Sequence, residues 1–344
     1  MTVDMTTTLA GVEFPNPVFT ASGCAAAGQE LDQFFDVTEL GGVVTKSIML
    51  AARSGRATPR MAETPSGMLN SIGLQGPGIE AFLDKDLTWL ADRGARAVVS
   101  IAGGSVEDYA SLAQRLRGRP GLSMVEVNIS CPNVESRGQV FACDPRAASE
   151  VVAAVRKATE PGIPVFAKLS PDVTDIAEIA RACVDAGADG LSVINTLLGL
   201  AIDVDTMRPV LGGITGGLSG PAIRPVAVRC VWQVHQALPD VPILGMGGIR
   251  TGRDALEFVL AGASAVSVGT TVFGDPTAPI RVLDELRQAL ADRGFARLQD
   301  AVGLAHRPPE PAVVTPDLGL ELTGAALDDA EPAIDAPGAG GYAR

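Results

Sequence analysis

The sequence predicts a (β/α)8 TIM barrel with a small N-terminal hairpin and a disordered C-terminal tail. Three observations carry that prediction. Short runs of β-branched and apolar residues recur along the chain; each is followed by a stretch whose apolar residues return every three or four positions; and polar or glycine residues gather where the runs end. Alternating strand and helix signals imply a parallel sheet, and eight repeats favour a closed barrel over an open, doubly wound one.

Leu9-Ala10-Gly11-Val12-Glu13-Phe14, followed by Pro15-Asn16-Pro17, reads as a small hairpin leading into the first strand. Strands are predicted over 18–23, 43–47, 97–103, 124–130, 164–170, 190–196, 242–249 and 265–273. Amphipathic helices fill the intervals, for instance 173–186 and 222–238. Ala186-Gly187-Ala188 and Ala261-Gly262-Ala263 place glycine where a helix ends on a left-handed residue. Two connections, 48–77 and 197–220, are too long for plain barrel loops. Both leave the C-terminal end of a strand, where barrel active sites sit. Residues 1–309 thus read as one barrel domain. Beyond them, Pro, Gly, Ala and Asp dominate 310–344, which holds seven acids and one base and reads as an acidic, disordered extension.

Of 344 residues, 47% are hydrophobic and 19% charged, enough apolar material for a large core and far from the composition of a disordered chain. The formal charge of −13 argues against nucleic acid as a partner, because phosphate backbones are bound by clustered Lys and Arg. No apolar run approaches the ~20 residues of a membrane span. No basic start with an apolar stretch marks a secretory signal, so a cytoplasmic location is expected. Five scattered cysteines form no Cys-x-x-Cys pair, which excludes a locally built zinc knuckle or iron–sulfur cluster. With only His235 and His306, a histidine triad or His-rich metal site has no material, and no metal is expected.

The chemistry gathers at strand ends: Thr45-Lys46-Ser47 on the second, Asn128-Ile129-Ser130-Cys131-Pro132-Asn133 on the fourth, Lys168-Leu169-Ser170 on the fifth, Asn195-Thr196 on the sixth. A lysine in an apolar strand needs a compensating anion, either a buried carboxylate or a ligand. Two at equivalent ends favour an anionic ligand. Asn70, Asn128, Asn133 and Asn195 each offer a donor and an acceptor, which suits a planar ring of alternating carbonyl and N–H groups. Gly245-Met246-Gly247-Gly248-Ile249 and Ser267-Val268-Gly269-Thr270-Thr271 end the last two strands with glycine turns that suit a phosphate. No Gly-x-Gly-x-x-Gly follows an early strand, so a dinucleotide module is not indicated. Cys131, just past a strand and near two lysines, is a candidate thiolate base; Cys24, Cys143, Cys183 and Cys230 read as inert.

In combination these motifs resemble the class 1 dihydroorotate dehydrogenases, and most of all the 1B branch. The matching stretches are Pro65-Ser66-Gly67-Met68-Leu69-Asn70-Ser71-Ile72-Gly73-Leu74-Gln75, the 128–133 motif, Ile194-Asn195-Thr196-Leu197-Leu198-Gly199, Thr215-Gly216-Gly217-Leu218-Ser219-Gly220-Pro221 and the two glycine turns, together spanning roughly 8–307. The resemblance implies FMN across the barrel mouth, with its phosphate at Gly247, Gly248, Gly269 and Thr270. It also implies flavin contacts from Ser22, Lys46, Ser47, Asn128, Lys168, Ile194 and Gly220, with Lys168 at the N1–O2 edge. Lys46 would hold the substrate carboxylate, and Asn70, Asn128, Asn195 and Thr196 its ring. Cys131 matches the family's base, taking a proton from C5 while C6 gives hydride to flavin N5.

The sequence departs from the family in three places: Gly76 follows Gln75 where Asn is usual, Ser100 replaces an Asn beside the flavin on the third strand, and Gly212-Gly213-Ile214 replaces Ala-Asn-Lys. The implied reaction is oxidation of (S)-dihydroorotate to orotate in pyrimidine biosynthesis. In the 1B branch electrons leave through a partner subunit carrying FAD and a [2Fe–2S] cluster, and then pass to NAD. A homodimer or a heterotetramer is implied accordingly. Alternatives within the family are a class 1A-type homodimer using fumarate and a dihydropyrimidine dehydrogenase-like subunit acting on uracil or thymine.

Overall fold

The β-branched runs form eight parallel strands: Val18–Thr20, Val43–Val44, Ala97–Ile101, Leu122–Asn128, Val165–Leu169, Gly190–Val193, Ile243–Met246 and Ala265–Val268. The computed structural model describes residues 2–129 and 143–308; the extension over 310–344 lies outside the described residues. Around the ring, the first strand pairs with the eighth, and each strand down to the second follows in turn. Closure between first and second comes from Gly41 N–H donating to Val18 O at 2.8 Å and Thr20 N–H donating to Gly42 O at 3.3 Å.

Side chains of one parity point inward. Phe19, Val44, Val98, Met124, Phe166, Leu244, Met246 and Ala265 fill the barrel together with Leu9 and Phe14 of the hairpin. The hairpin (Thr7–Leu9 with Val12–Phe14) turns through Ala10 and Gly11 at φ 50° and 84°, the geometry of a tight two-residue connection. It closes the N-terminal end: the Thr7 hydroxyl donates to Ser264 O at 2.8 Å, just before the eighth strand, and Phe14 meets Phe19 edge to face at 5.1 Å. Residues of the other parity pack against the surrounding helices in the larger core. Polar chemistry is thereby confined to the opposite, C-terminal mouth.

Most strands stop short of their predicted ends. The second ends at Val44 rather than 47, the sixth at Val193 rather than 196, and the eighth at Val268, followed by a single helical turn Thr270–Phe273. The polar and glycine residues beyond these points leave the ladder to face the mouth, so a reading based on run length overshoots by the segment that carries the site. Helix starts move for local reasons. The helix expected over 173–186 is Ile176–Asp185, because the Asp175 carboxylate accepts from Ala177 N–H at 2.8 Å and caps it there. That expected over 222–238 is Arg224–Ala237 after a turn at Pro221–Ile223, with Pro225 in its first turn.

The two long connections meet. They build a four-stranded antiparallel sheet in the order Leu197–Gly199, Gly216–Ser219, Gly67–Asn70, Met61–Thr64. The sequence carries no signal for this sheet, since Gly67, Gly199, Gly216 and Gly217 interrupt any apolar alternation. Among the described residues no helix is long and apolar enough to cross a membrane.

Candidate active site

A cavity of about 960 Å³ opens at the C-terminal mouth, walled on one side by the antiparallel sheet. Its lining brings together Ser22, Lys46, Ser47, Asn70, Asn128, Lys168, Ile194, Asn195, Thr196, Gly220, Gly247, Gly248, Gly269 and Thr270, from segments up to about 250 residues apart. Cys131 and Asn133 lie outside the described residues. Ser100 is the one described candidate not on the wall: it is wholly buried behind it.

Ser100 acts on the wall through Ser47. The Ser47 hydroxyl is a hub, 2.9 Å from Ser100 Oγ, 3.2 Å from Ser22 Oγ, and accepting from Asn128 Nδ2 at 3.0 Å. Asn128 Oδ1 accepts from Asn195 Nδ2 at 3.3 Å, and Asn195 Oδ1 accepts from Thr196 N–H at 2.9 Å. One chain of hydrogen bonds thus links the ends of the second, third, fourth and sixth strands. The Tyr109 phenol, inside the core, donates to Asn128 O at 2.7 Å and anchors the same residue from behind. Across the mouth, Asn70 Nδ2 donates to Gly217 O at 3.1 Å within the antiparallel sheet, and Thr270 Oγ1, just past the eighth strand, donates to Ser219 Oγ at 2.8 Å and ties that sheet to the barrel.

The two strand-end lysines differ. Lys168 has a carboxylate partner inside the barrel: its Nζ lies 3.5 Å from Glu126 Oε1, with the two side chains 6% and 0% exposed. Glu126 was legible in principle, two residues before Asn128 and so on the same face of the strand. Lys46 has no ion pair with a carboxylate among the described residues. Burial pushes its ammonium below the ordinary value, opposed by the Cys24 thiol and reinforced by the Lys168 charge. Burial pushes Cys24 up to about 11 against the pull of both lysines, and Cys183 up to about 12, so both stay protonated and unreactive at neutral pH.

The seventh strand ends in a turn that only glycine fills. Gly247 and Gly248 sit at φ 130° and 82°. A Cβ on Gly248 would lie 2.7 Å from Gly220 O, and one on Gly247 would lie 2.8 Å from Ala227 Cβ. The Asp254 carboxylate braces this turn, accepting from Arg250 N–H at 2.9 Å and Thr251 N–H at 3.0 Å while pairing with Arg224. The arrangement can hold a phosphate on backbone, a carboxylate on Lys46 and a planar amide-bearing ring among the asparagines.

Comparison with known proteins gives one answer. Residues 4–290 match the family model described as dihydroorotate dehydrogenase. A protein of Pelobacter propionicus named dihydroorotate dehydrogenase B (NAD(+)), catalytic subunit, is 52% identical over 303 residues, covering 88% of this chain and 99% of that one. A protein of the same name from Desulforudis audaxviator is 50% identical over 307 residues, 89% and 99% of the two chains. Among solved structures, DHODH of Eimeria tenella in complex with ferulenol superposes with a TM-score of 0.75 at 26% identity over 89% of each chain. The chain therefore belongs to the dihydroorotate dehydrogenase family, on its class 1B branch.

Proposed function

We propose that this chain is the catalytic subunit that oxidises (S)-dihydroorotate to orotate for pyrimidine biosynthesis, with FMN as its cofactor. The observation that carries the reading is the convergence of two strand-end lysines, three asparagines and the glycine turns of the last two strands on one cavity. Its volume of about 960 Å³ suits a flavin mononucleotide and a ring substrate together, at the upper end of the ~300–1,000 Å³ of small-molecule sites. The turns at Gly247 and Gly248, closed to any Cβ, fit a group approached by bare backbone. The phosphate would rest on Gly247, Gly248, Gly269 and Thr270, and the ring system on Ser22, Lys46, Ser47, Asn128, Lys168, Ile194 and Gly220. Ser100 would act through Ser47.

Bound FMN would supply the two-electron acceptor that no protein side chain provides. The chain's own residues would do the rest. Lys46 would bind the substrate carboxylate; that it has no carboxylate partner among the described residues favours an anionic substrate over uracil or thymine. Asn70, Asn128, Asn195 and Thr196 would orient the ring, with the Asn128 and Asn195 amides already fixed by the Ser47 network and the Asn70 amide by Gly217 O. Cys131, by its place in the family motif, would take the C5 proton as general base. Electrons would then leave through a partner subunit to NAD, as the relatives' names, B (NAD(+)) and catalytic subunit, suggest. An FAD and [2Fe–2S]-bearing partner, in a homodimer-based heterotetramer in the cytoplasm, completes this reading.

The test is to denature the purified chain, identify any released flavin, and titrate the loaded protein with orotate and with uracil. FMN in about equimolar amount, with a spectral change on orotate and none on uracil, is expected. No flavin, or a response to uracil alone, would overturn the reading.

A further inference from the structure

Glu126 is the one buried carboxylate residue among the described residues, and the reaction above gives it no part. It projects into the barrel between Met124, in the interior packing, and Asn128, on the cavity wall. In register it lies level with Phe166, while Lys168 lies level with Asn128. The carboxylate therefore sits one layer beneath the cavity floor, and the lysine reaches it from the floor itself, with Nζ and Oε1 3.5 Å apart. Glu126 Oε2 has no hydrogen-bond partner among the described residues.

A buried ion pair is costly to desolvate, and apolar residues in the same places commonly serve stability as well or better. A carboxylate with one oxygen unused is not there to complete a hydrogen-bond network. What it contributes is negative charge, directly under a site that faces two ammonium groups, Lys46 and Lys168. We propose that Glu126 is a positioning residue for the flavin site: it holds the Lys168 ammonium at the cavity floor and offsets part of its charge, so that the pair sets how strongly the site prefers reduced over oxidised FMN. This rests on the FMN reading above. With the carboxylate in place, the positive potential at the floor is tempered. Without it, the site holds an anionic reduced flavin too tightly to release electrons readily.

The test is an anaerobic redox titration of the flavin-loaded full chain, wild type against Glu126→Gln, which keeps the shape and removes the charge. The affinity ratio for reduced over oxidised FMN rises about tenfold in the variant, which for a two-electron couple is ~30 mV upward. Lys168→Met moves the potential the other way, and in that background Glu126→Gln has no further effect. An unchanged or lowered potential in a Glu126→Gln protein that retains FMN overturns the assignment alone. A wild-type chain that takes up no FMN overturns the flavin reading and the assignment with it. Should Glu126→Gln fail to fold, Glu126→Asp provides a second measurement: it draws the carboxylate back from Lys168 Nζ, and the potential rises above wild type, whereas an unchanged or lowered potential refutes the proposal.

Discussion

Replacing Ser47 by alanine should cost far more than its single hydroxyl suggests. Ser47 is 5% exposed and Ser100, behind it, is wholly buried. Three groups depend on Ser47 Oγ: Ser100 Oγ at 2.9 Å, Asn128 Nδ2 at 3.0 Å and Ser22 Oγ at 3.2 Å. With the hydroxyl gone, Ser100 is an orphan that water cannot reach, at ~1–3 kcal/mol; Asn128 loses a half-buried donor contact worth ~1 kcal/mol; Ser22, partly exposed, loses little. The expected sum is about 2–4 kcal/mol. Ser100→Ala should cost only ~0.5–1.5 kcal/mol, because Ser47 keeps its other partners. The double variant is the sharper test. Removing both hydroxyls removes the orphan, so Ser47→Ala/Ser100→Ala should be more stable than Ser47→Ala alone by about 1 kcal/mol. The assay is urea unfolding of the four proteins by circular dichroism. Refutation would be a Ser47→Ala cost below about 0.5 kcal/mol, the scale of an ordinary surface change, or strictly additive losses in the double variant.

Gly248→Ala puts a methyl 2.7 Å from Gly220 O in a left-handed backbone; the left-handed penalty alone is ~1–2 kcal/mol, so FMN retention should weaken by about tenfold or more, and an FMN affinity within twofold of wild type would contradict the cradle. Cys131→Ala should keep FMN while its reduction by dihydroorotate slows ~10²–10⁴-fold near neutral pH, the ordinary contribution of a general base; an unchanged rate in rapid-mixing experiments would remove Cys131 from that role. Lys46 titrates below its ordinary 10.5, chiefly through burial. With Lys46 binding the substrate carboxylate as proposed, orotate should lose affinity as pH rises through a value below 10.5, and Lys46→Met should abolish that limb. The sign for stability is opposite to that of a lysine with a partner. Below the depressed folded value both states are charged and the burial penalty is present in full; it is relieved as pH rises toward the unfolded value, where the unfolded chain holds the extra proton.

The barrel was legible because each strand is a compact β-branched run and each helix an amphipathic stretch, signals local enough to read along the chain. The site was legible for the same reason: lysine and asparagine have no place at the end of an apolar run unless something polar meets them there. What escaped was long-range. Nothing local to Ser100 shows that its hydroxyl faces Ser47 across two strands instead of the cavity. The Lys168–Glu126 pair joins residues 42 apart in sequence, and only the inward parity they share hinted at it. The antiparallel sheet joins two glycine-rich connections whose strands pair through backbone, which leaves no side-chain pattern. Strand ends were overrun for a related reason, since residues leaving a ladder for the mouth can be as β-prone as those within it.

The central claim is that this cavity removes two electrons from dihydroorotate. Its most direct test is anaerobic mixing of the flavin-loaded chain with dihydroorotate while the visible flavin absorbance is followed. Bleaching, with orotate formed in step and no added acceptor, is the predicted result. A flavin that stays yellow with dihydroorotate yet bleaches with dithionite would contradict the account.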